Sequence, residues 1–269
     1  MAEYRSIDGK GNNASHPEWG AAGTPLRRVA KSAYEDGIST IAKRGDGSPS
    51  HPRKVSNAIH RHSKSVLSAA DLSNFTWAWG QFLDHELDLT EPMQEAVELR
   101  TPPDDPVLPD ASIPFKRSNF VKGTGTDLDN PRQQINQITS YIDASNVYGS
   151  DEKRATMLRA KDDTGRLAVT PDPNGDLLPY NAAGLPNAAL PQQTVASELF
   201  LAGDVRANEH AVLSAMHTLF VREHNRRCDA IKAANPGISG EDIYQRARRE
   251  VCALMQIITY QEFLPSIPR

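Results

Sequence analysis

The chain has few cysteines, no basic cluster and no long apolar run. Its two cysteines, Cys228 and Cys252, are too few for a disulfide framework, so we expect buried thiols. A formal net charge of -4 argues against nucleic-acid or anionic-membrane partners. No apolar stretch approaches the roughly 18 residues of a membrane span. The opening, MAEYRSIDGKGNN, lacks the basic and apolar segments of a secretory signal, so export by the Sec route is not expected.

The remaining composition predicts a folded, mainly helical domain. With 38% hydrophobic residues, the 269-residue chain can bury a core. Residues 1–56 are rich in Gly, Pro, Ser and Asn without hydrophobic periodicity, so we expect an N-terminal arm packed on residues 57–269. Prolines in residues 91–115 predict a long surface connector that cannot be helical. The expected fold is a mainly α single domain with long loops and little β structure.

One stretch, WAWGQFLDHELDLT at residues 77–90, predicts a helix of about 15 residues capped by Asp71 or Ser73. The helix is strongly apolar, yet its polar residues are Gln81, Asp84, His85, Glu86 and Asp88. Gln81 and His85 fall one turn apart on one face, and Asp84 stands about 100° round from His85. This many polar groups on an apolar helix indicates a polar or ionic ligand. The alternative is a core helix with one satisfied histidine and a solvated acidic edge.

A second stretch, ITSYIDASNVYGSDE, offers alternating oxygen-bearing residues. They are Thr139, Tyr141, Asp143 and Ser145. In an extended or looped backbone their oxygens converge on one side, and oxygen ligands without sulfur or imidazole favour Ca²⁺ over Zn²⁺. Glu86 is a candidate second carboxylate. The alternative is a short strand or turn capped by Asp143 and followed by a helix from Ser150.

The third stretch, LFLAGDVRANEHAVLSAMHTLFVREHNR, opens a helix near Glu209 that runs past Cys228. Just ahead of the apolar segment, Arg206, Glu209 and His210 are spaced i, i+3, i+4. The plainest interpretation of Arg206 and Glu209 is a surface salt bridge worth about 0–1 kcal/mol.

Two later features are predicted to be structural. His217 and His224 lack the HExxH pattern of zinc proteases, so we expect packed or hydrogen-bonded histidines. The final helix starts at a capping box, Ser239 to Asp242, and runs through to Phe263.

These three stretches, followed by YQRARREVCALMQIITYQEFLP, resemble in order and spacing the animal-type haem peroxidases of the peroxidase-cyclooxygenase superfamily. The opening YRSIDGKGNNASHPEWGAAGTPLRR is similar to the N-terminus of bacterial members. The resemblance covers essentially the whole chain but only the first half of the family's catalytic domain. It implies the distal half of a helical haem domain whose C-terminal half is missing. Bacterial relatives often leave the cell without a Sec signal, so the location stays undetermined.

The resemblance assigns roles by position. His85 matches the distal histidine that acts as a base, Gln81 the distal glutamine and Arg206 the distal arginine. The carboxylates that form ester bonds to haem in some members are matched by Asp84 and Glu209. The family's calcium shell is matched by Glu86, Thr139, Tyr141 through its backbone carbonyl, Asp143 and Ser145. Two positions depart: Glu86 replaces the usual aspartate, and His210 stands where some members have a haem-linked methionine.

The resemblance also implies haem b, ester-linked in some members, together with Ca²⁺. The implied substrates are H₂O₂ and a halide, thiocyanate or small aromatic donor. None of the eight histidines matches the family's proximal haem ligand, so a missing C-terminal half is the expected partner. The alternatives are a fatty-acid dioxygenase of the same superfamily and a non-catalytic, calcium-stabilised module for adhesion or assembly.

Overall fold

A computed structural model of the chain describes residues 4–43, 51–188 and 195–267. In chain order its elements are β1 (Thr24–Pro25), α1 (Pro52–His60), α2 (Phe75–Leu87), β2 (Pro92–Arg100), β3 (Ser112–Ser118), β4 (Ile135–Asn136), α3 (Ser145–Tyr148), α4 (Glu152–Met157), a 3₁₀ turn (Ala196–Glu198), α5 (Ala211–Ala234), α6 (Gly240–Ile257), a π-helical turn (Ile258–Phe263) and α7 (Leu264–Ser266). The prediction of a mainly helical fold is confirmed. None of the described helices is long and apolar enough to cross a bilayer.

The chain divides into two units. The helical unit comprises Met1–Ala22, Leu72–Leu89 and Gln137–Arg269, and the hairpin unit comprises Gly23–Asp71 and Thr90–Asn136. The predicted arm, residues 1–56, thus contributes to both. In the helical unit, Arg248 of α6 donates hydrogen bonds to the carbonyls of Arg5 (2.8 Å) and Ser6 (3.1 Å), which hold the first part of the arm.

The core of the helical unit lies between α2, α5 and α6. Phe82 of α2 is fully buried and stacks on Phe220 of α5, with ring centroids 5.4 Å apart. On α6, Tyr244, Val251 and Met255 recur at helical spacing and are also buried. Burying one such side chain contributes about 1.5–3 kcal/mol, so these contacts fix α2, which carries the candidate site, against α5.

The observed helix α2, Phe75–Leu87, begins and ends earlier in the chain than the predicted stretch, residues 77–90. Asp88 already has an extended backbone, with φ -151° and ψ 149°, and ends the helix. The N-cap position is Asn74, and its side chain makes no capping hydrogen bond. The prediction that Asp71 or Ser73 caps the helix is therefore wrong.

The starts of α5 and α6 follow local capping. His210 caps α5, because its Nδ1 accepts the Leu213 N–H at 3.2 Å. Ser239 caps α6, because its Oγ accepts the Asp242 N–H at 3.1 Å, as the capping box predicted. The α-helical part of α6 ends before the predicted end at Phe263, and the π-helical turn completes that segment.

The environments of the two cysteines and of the two histidines of α5 are close to those predicted. Cys228 is buried and Cys252 half-buried, and both are free. His217 and His224 of α5 are fully buried. His224 shares a hydrogen bond with the Tyr148 hydroxyl at 2.8 Å.

The hairpin unit corrects the prediction for residues 91–115. β2 and β3 pair antiparallel there, with Leu99 opposite Ile113 and Glu98 opposite Pro114. Proline excludes a helix, but it is tolerated in edge strands, and both strands of a two-stranded sheet are edges. The connector is therefore a β-hairpin.

A buried ion pair ties α1 to the turn of this hairpin. Arg53 Nε lies 2.6 Å from Asp105 Oδ2, and Arg53 Nη2 donates to Asp105 Oδ1 at 3.0 Å. The Asp105 side chain is fully buried. Hydrogen bonds from Arg53 hold the pKa of Asp105 well below its usual range.

Candidate active site

His85 is a buried imidazole on α2. The residue is 4% exposed, and its Nδ1 has no hydrogen-bond partner among the described residues. The Oδ1 atom of Asp204 lies 3.9 Å from that nitrogen. Burial, followed by the charge of Arg206, lowers the pKa of His85 to about 4, although the nearby carboxylates act in the opposite direction. The ring is therefore neutral at neutral pH and available as a base.

Arg206 is held by the buried Asp204, two residues earlier in the same loop. Its Nε donates to Asp204 Oδ1 and its Nη2 to Oδ2, both at 2.8 Å. Nη2 also donates to the carbonyls of Asp88 (2.9 Å) and His85 (3.3 Å). Burial raises the pKa of Asp204, but the hydrogen bonds from Arg206 outweigh it and leave the pKa below its usual value. A surface salt bridge between Arg206 and Glu209 is therefore not the observed arrangement.

Gln81, Glu209 and His210 form a hydrogen-bonded chain. Because His210 Nδ1 accepts the Leu213 N–H, its Nε2 carries the proton and donates to Gln81 Oε1 at 2.8 Å. That contact fixes the orientation of the amide, so Gln81 Nε2 donates to Glu209 Oε2 at 3.0 Å. The Trp77 ring lies beside His210, with centroids 5.4 Å apart.

Asp84 stays outside this chain of hydrogen bonds. It is exposed on α2 and lies beside Asp88. Burial raises the pKa of Asp88, and the neighbouring charge of Asp84 raises it further. The structure thus brings Gln81 and Glu209 together but leaves Asp84 on the solvent side.

The side chain of Glu86, which directly follows His85, points in another direction and accepts hydrogen bonds from backbone N–H groups of a nearby segment. Its Oε1 accepts the N–H groups of Asp143 (2.7 Å) and Ala144, and its Oε2 accepts that of Asn146 at 3.0 Å. Ala144 has a left-handed backbone, with φ 61° and ψ 32°, which turns these amides toward one acceptor. The carboxylate is fully buried; burial, followed by the Asp143 charge, raises its pKa.

The predicted oxygen ligands lie around this carboxylate. Asp143 Oδ1 accepts the Thr139 hydroxyl at 3.0 Å and the Ser145 N–H at 3.2 Å. Its Oδ2 is buried without a partner among the described residues, and burial raises the pKa of Asp143 to about 6. The Tyr141 hydroxyl donates to the Trp19 carbonyl at 2.6 Å, so the Tyr141 side chain binds the N-terminal arm.

These residues fit a hard cation. Glu86 and Asp143 are two buried carboxylates that disfavour each other's charge, and Asp143 keeps an unpartnered oxygen. The hydroxyls of Thr139 and Ser145 stand beside them. Within the described ranges no cluster of three or more His, Cys, Asp or Glu side chains can hold a metal, so the site offers only these two carboxylates. An all-oxygen donor set of this kind suits Ca²⁺.

Comparison with known proteins decides the family. The model of the animal haem peroxidase family matches residues 4–268. The chain belongs to the animal haem peroxidase family. It is 38% identical over 308 residues to thyroid peroxidase of Canis lupus familiaris, covering 98% of this chain and 32% of that protein. It is 37% identical over 298 residues to myeloperoxidase of Homo sapiens, covering 98% of this chain and 40% of that protein. The chain thus spans well under half the length of these relatives.

Solved structures place the fold in the same superfamily. Peroxidase A from Dictyostelium discoideum matches with a TM-score of 0.85 and 29% identity, over 98% of this chain and 53% of that one. Fatty acid alpha-dioxygenase from Arabidopsis thaliana matches with a TM-score of 0.75 and 22% identity, over 98% and 37%. The second likeness shows the fold alone. The predicted animal-type haem peroxidase superfamily is confirmed.

Haem is the cofactor of this family, and the residues present fit it. His85 offers a neutral imidazole, and Arg206 offers a cation to an anionic or polar ligand. Trp77 is 52% exposed beside His210 and adds an apolar surface next to the hydrogen-bonded chain of Gln81, Glu209 and His210. A planar apolar macrocycle needs this combination of apolar wall and convergent polar atoms.

Asp204, which lies next to both His85 and Arg206, was not predicted as a site residue. Its only signal was an acidic residue within the apolar run LFLAGDVR, two positions before Arg206. A carboxylate in such a run is buried with its neighbours and needs a cationic partner. The hydrogen bond from His210 to Gln81 joins residues 129 positions apart, which spacing along the chain does not reveal.

Proposed function

We propose that this chain forms the distal half of a haem peroxidase that uses H₂O₂ to oxidise a halide, thiocyanate or a small aromatic donor. The observation that carries the proposal is the neutral, buried His85 beside Arg206, with one carboxylate, Asp204, between them. The proximal haem ligand comes from the C-terminal half of the domain, outside this chain. In this proposal the side chains of Gln81, Glu209 and Asp84 face the haem. The carboxylates of Glu209 and Asp84 are the candidate points of ester attachment.

Haem would supply the redox chemistry that peroxide reduction and oxidation of the donor require. His85 acts as the base, and its Nε2 accepts the proton of the incoming peroxide and returns it to the departing oxygen. The guanidinium of Arg206 stabilises the negative charge that develops on that oxygen. Gln81, oriented by His210, presents a fixed amide to water or a halide in the pocket.

Ca²⁺ is the second proposed cofactor. Glu86, Asp143, Thr139 and Ser145 would hold it, with the backbone carbonyl of Tyr141. The ion would neutralise the two buried carboxylates. Because Glu86 directly follows His85 on α2, the ion would also fix the turn of helix that carries the base.

The test is peroxide turnover after addition of haemin and Ca²⁺, measured on the 269-residue chain and on a longer protein that includes the C-terminal half. We expect His85→Ala to lower H₂O₂-dependent oxidation of a phenol by about 10²–10⁴. The matched control is His62→Ala, which removes an exposed histidine of the hairpin unit. Wild-type turnover in His85→Ala would show that His85 is not the base.

Two further measurements separate the alternatives. Oxygen uptake with a fatty acid and no peroxide would favour a dioxygenase. Ca²⁺ binding with no shift of the haemin Soret band in either protein would favour a calcium-stabilised adhesion or assembly module.

A further inference from the structure

Asp204 carries a buried carboxylate that has no role in the reaction proposed above. Its side chain is 1% exposed. Its backbone N–H donates to the Asn146 carbonyl at 3.0 Å, and a Cβ on the preceding Gly203 would lie 2.4 Å from the Ser145 carbonyl oxygen. The loop therefore rests directly on the backbone of α3. These backbone contacts place the Asp204 backbone independently of the Arg206 side chain, and the carboxylate Oδ1 also accepts the Arg206 backbone N–H at 2.8 Å.

The carboxylate fixes Arg206 at two points. Nε and Nη2 bind its two oxygens, each at 2.8 Å, and this fork contact sets the plane of the guanidinium as well as its position. The Asp88 carbonyl holds Nη2 from a second direction. Among the described residues no acceptor binds Nη1, so Nη1 is the nitrogen left for a ligand.

The same carboxylate also lies next to the base. Its Oδ1 accepts the Arg206 Nε and stands 3.9 Å from His85 Nδ1, too far for a hydrogen bond. A single atom of Asp204 is therefore the common neighbour of both side chains. A shift of this atom would change the separation between base and cation.

We propose that Asp204 is a positioning residue, which holds the Arg206 guanidinium through Nε and Nη2 so that Nη1 faces the peroxide at a fixed distance from His85. This inference rests on the proposed function for its kinetic consequence, but not for its geometry. A buried ion pair is weak evidence of net stabilisation, because replacing both partners by apolar residues of similar volume is often neutral or stabilising. Orientation is what the fork contact supplies and a single point charge does not.

The main variant is Asp204→Asn, which keeps the shape of the side chain. It removes the charge and one of two acceptors, and its amide N–H groups face those of Arg206. Arg206→Lys is the second variant, because lysine keeps the charge and loses the fork. The matched control is Asp105→Asn, which breaks the buried two-point pair of the hairpin unit, Arg53 with Asp105, outside the proposed reaction.

The first readout needs no haem. In the ¹⁵N-arginine-labelled chain, the Nε–H of Arg206 should give a resonance protected from solvent exchange, identified by its absence in Arg206→Lys. We expect Asp204→Asn to lose this protection while Arg53 keeps its own, and Asp105→Asn to do the reverse. Retained protection in Asp204→Asn overturns the proposal.

The second readout is kinetic, on the haem-loaded protein. We expect Asp204→Asn and Arg206→Lys each to lower kcat/KM for H₂O₂ by about 10- to 100-fold, with KM for the donor unchanged. Asp105→Asn should stay within about threefold of wild type, because this pair takes no part in the proposed reaction. Adding Asp204→Asn to Arg206→Ala should cost nothing further, because the two act as a unit. A full, additive loss, or wild-type kcat/KM in Asp204→Asn, overturns the proposal.

The two readouts keep the failures apart. If the wild-type protein shows no peroxide turnover, the proposed function fails, and the exchange measurement alone decides whether Asp204 positions Arg206. If Asp204→Asn does not fold, Arg206→Lys with Asp204 intact decides the kinetic part. A wild-type rate in Arg206→Lys would mean that the fork is not needed, and the proposal would be overturned.

Discussion

The two fully buried histidines of α5 should make the stability of this protein fall in mild acid. His217 and His224 are 0% exposed, and burial lowers the pKa of each to about 4. In the unfolded chain a histidine titrates near the ordinary value of about 6.5. Below that pH the unfolded chain takes up protons that the folded protein does not bind. This part of the stability is therefore complete above pH of about 6.5 and is lost as the pH falls toward about 4.

The size of the effect follows from the two pKa values. A difference of about 2.5 units at about 1.4 kcal/mol per unit gives roughly 3 kcal/mol for each histidine, and about 1.4 kcal/mol of this is already lost at pH 5.5. Two histidines together would remove roughly 6 kcal/mol by pH 4, which is comparable to the whole stability of a typical domain.

Replacing His217 isolates one of these terms. Neither of its ring nitrogens has a partner at good hydrogen-bond geometry among the described residues, and its ring packs edge-on against Phe82 with centroids 5.0 Å apart. His217→Leu therefore removes two unsatisfied buried nitrogens, and its stability at pH 8 should equal or exceed that of wild type. The loss of stability between pH 8 and 5.5 should shrink by about 1.4 kcal/mol.

The assay is urea unfolding followed by tryptophan fluorescence from pH 8 to 5. His62→Gln, an exposed histidine, is the control and should keep the wild-type slope. His224→Leu should flatten the slope as well but cost stability at pH 8, because His224 bonds Tyr148 and Gly165. An unchanged pH slope in His217→Leu would refute the reasoning that burial keeps this ring neutral.

Three other predictions follow from single contacts. Phe82→Ala should cost about 3–5 kcal/mol in chemical unfolding, since it empties a fully buried ring site; a loss below about 1 kcal/mol would contradict the described core. Chelating Ca²⁺ should lower the melting temperature of wild type but not of Asp143→Asn, and equal shifts in both would argue against this cation site. His210→Ala should lose about 0.5–2 kcal/mol through the missing cap of α5, measured by thermal melting; His210→Asn, which can still cap, should lose less, and equal losses would assign the effect to the Gln81 contact.

The helices of the site were predictable because their signals are periodic. The apolar spacing of α2 and α6 and the capping box at Ser239 identify helices without any tertiary knowledge. The β-hairpin was not predictable in the same way. Prolines such as Pro114 interrupt the alternation of its strands, and the strand pairing, Leu99 with Ile113, depends on contacts across a turn.

The contacts that connect the residues of the site were not predictable from their order along the chain. The family resemblance assigned His85 and Arg206 to the distal side of one haem site, but it did not show that Arg206 binds Asp204 rather than Glu209. A spacing of two residues matches the period of a strand, but residues 203–210 form a loop, so only the structure reveals this contact. The amide orientation of Gln81 depends likewise on which nitrogen of His210 caps α5.

The three consecutive polar residues of α2 explain how a neutral base can sit among carboxylates. Successive positions of a helix point about 100° apart, so Asp84, His85 and Glu86 face different surroundings. Asp84 is exposed to solvent, and Glu86 binds the backbone amides of Asp143 and Asn146. The charge of Asp204 favours a protonated His85 ring. Burial lowers the pKa of His85, and the charge of Arg206, which is hydrogen-bonded to Asp204, lowers it further, so the ring stays neutral. The basicity of His85 therefore depends on keeping water out as much as on any single charge.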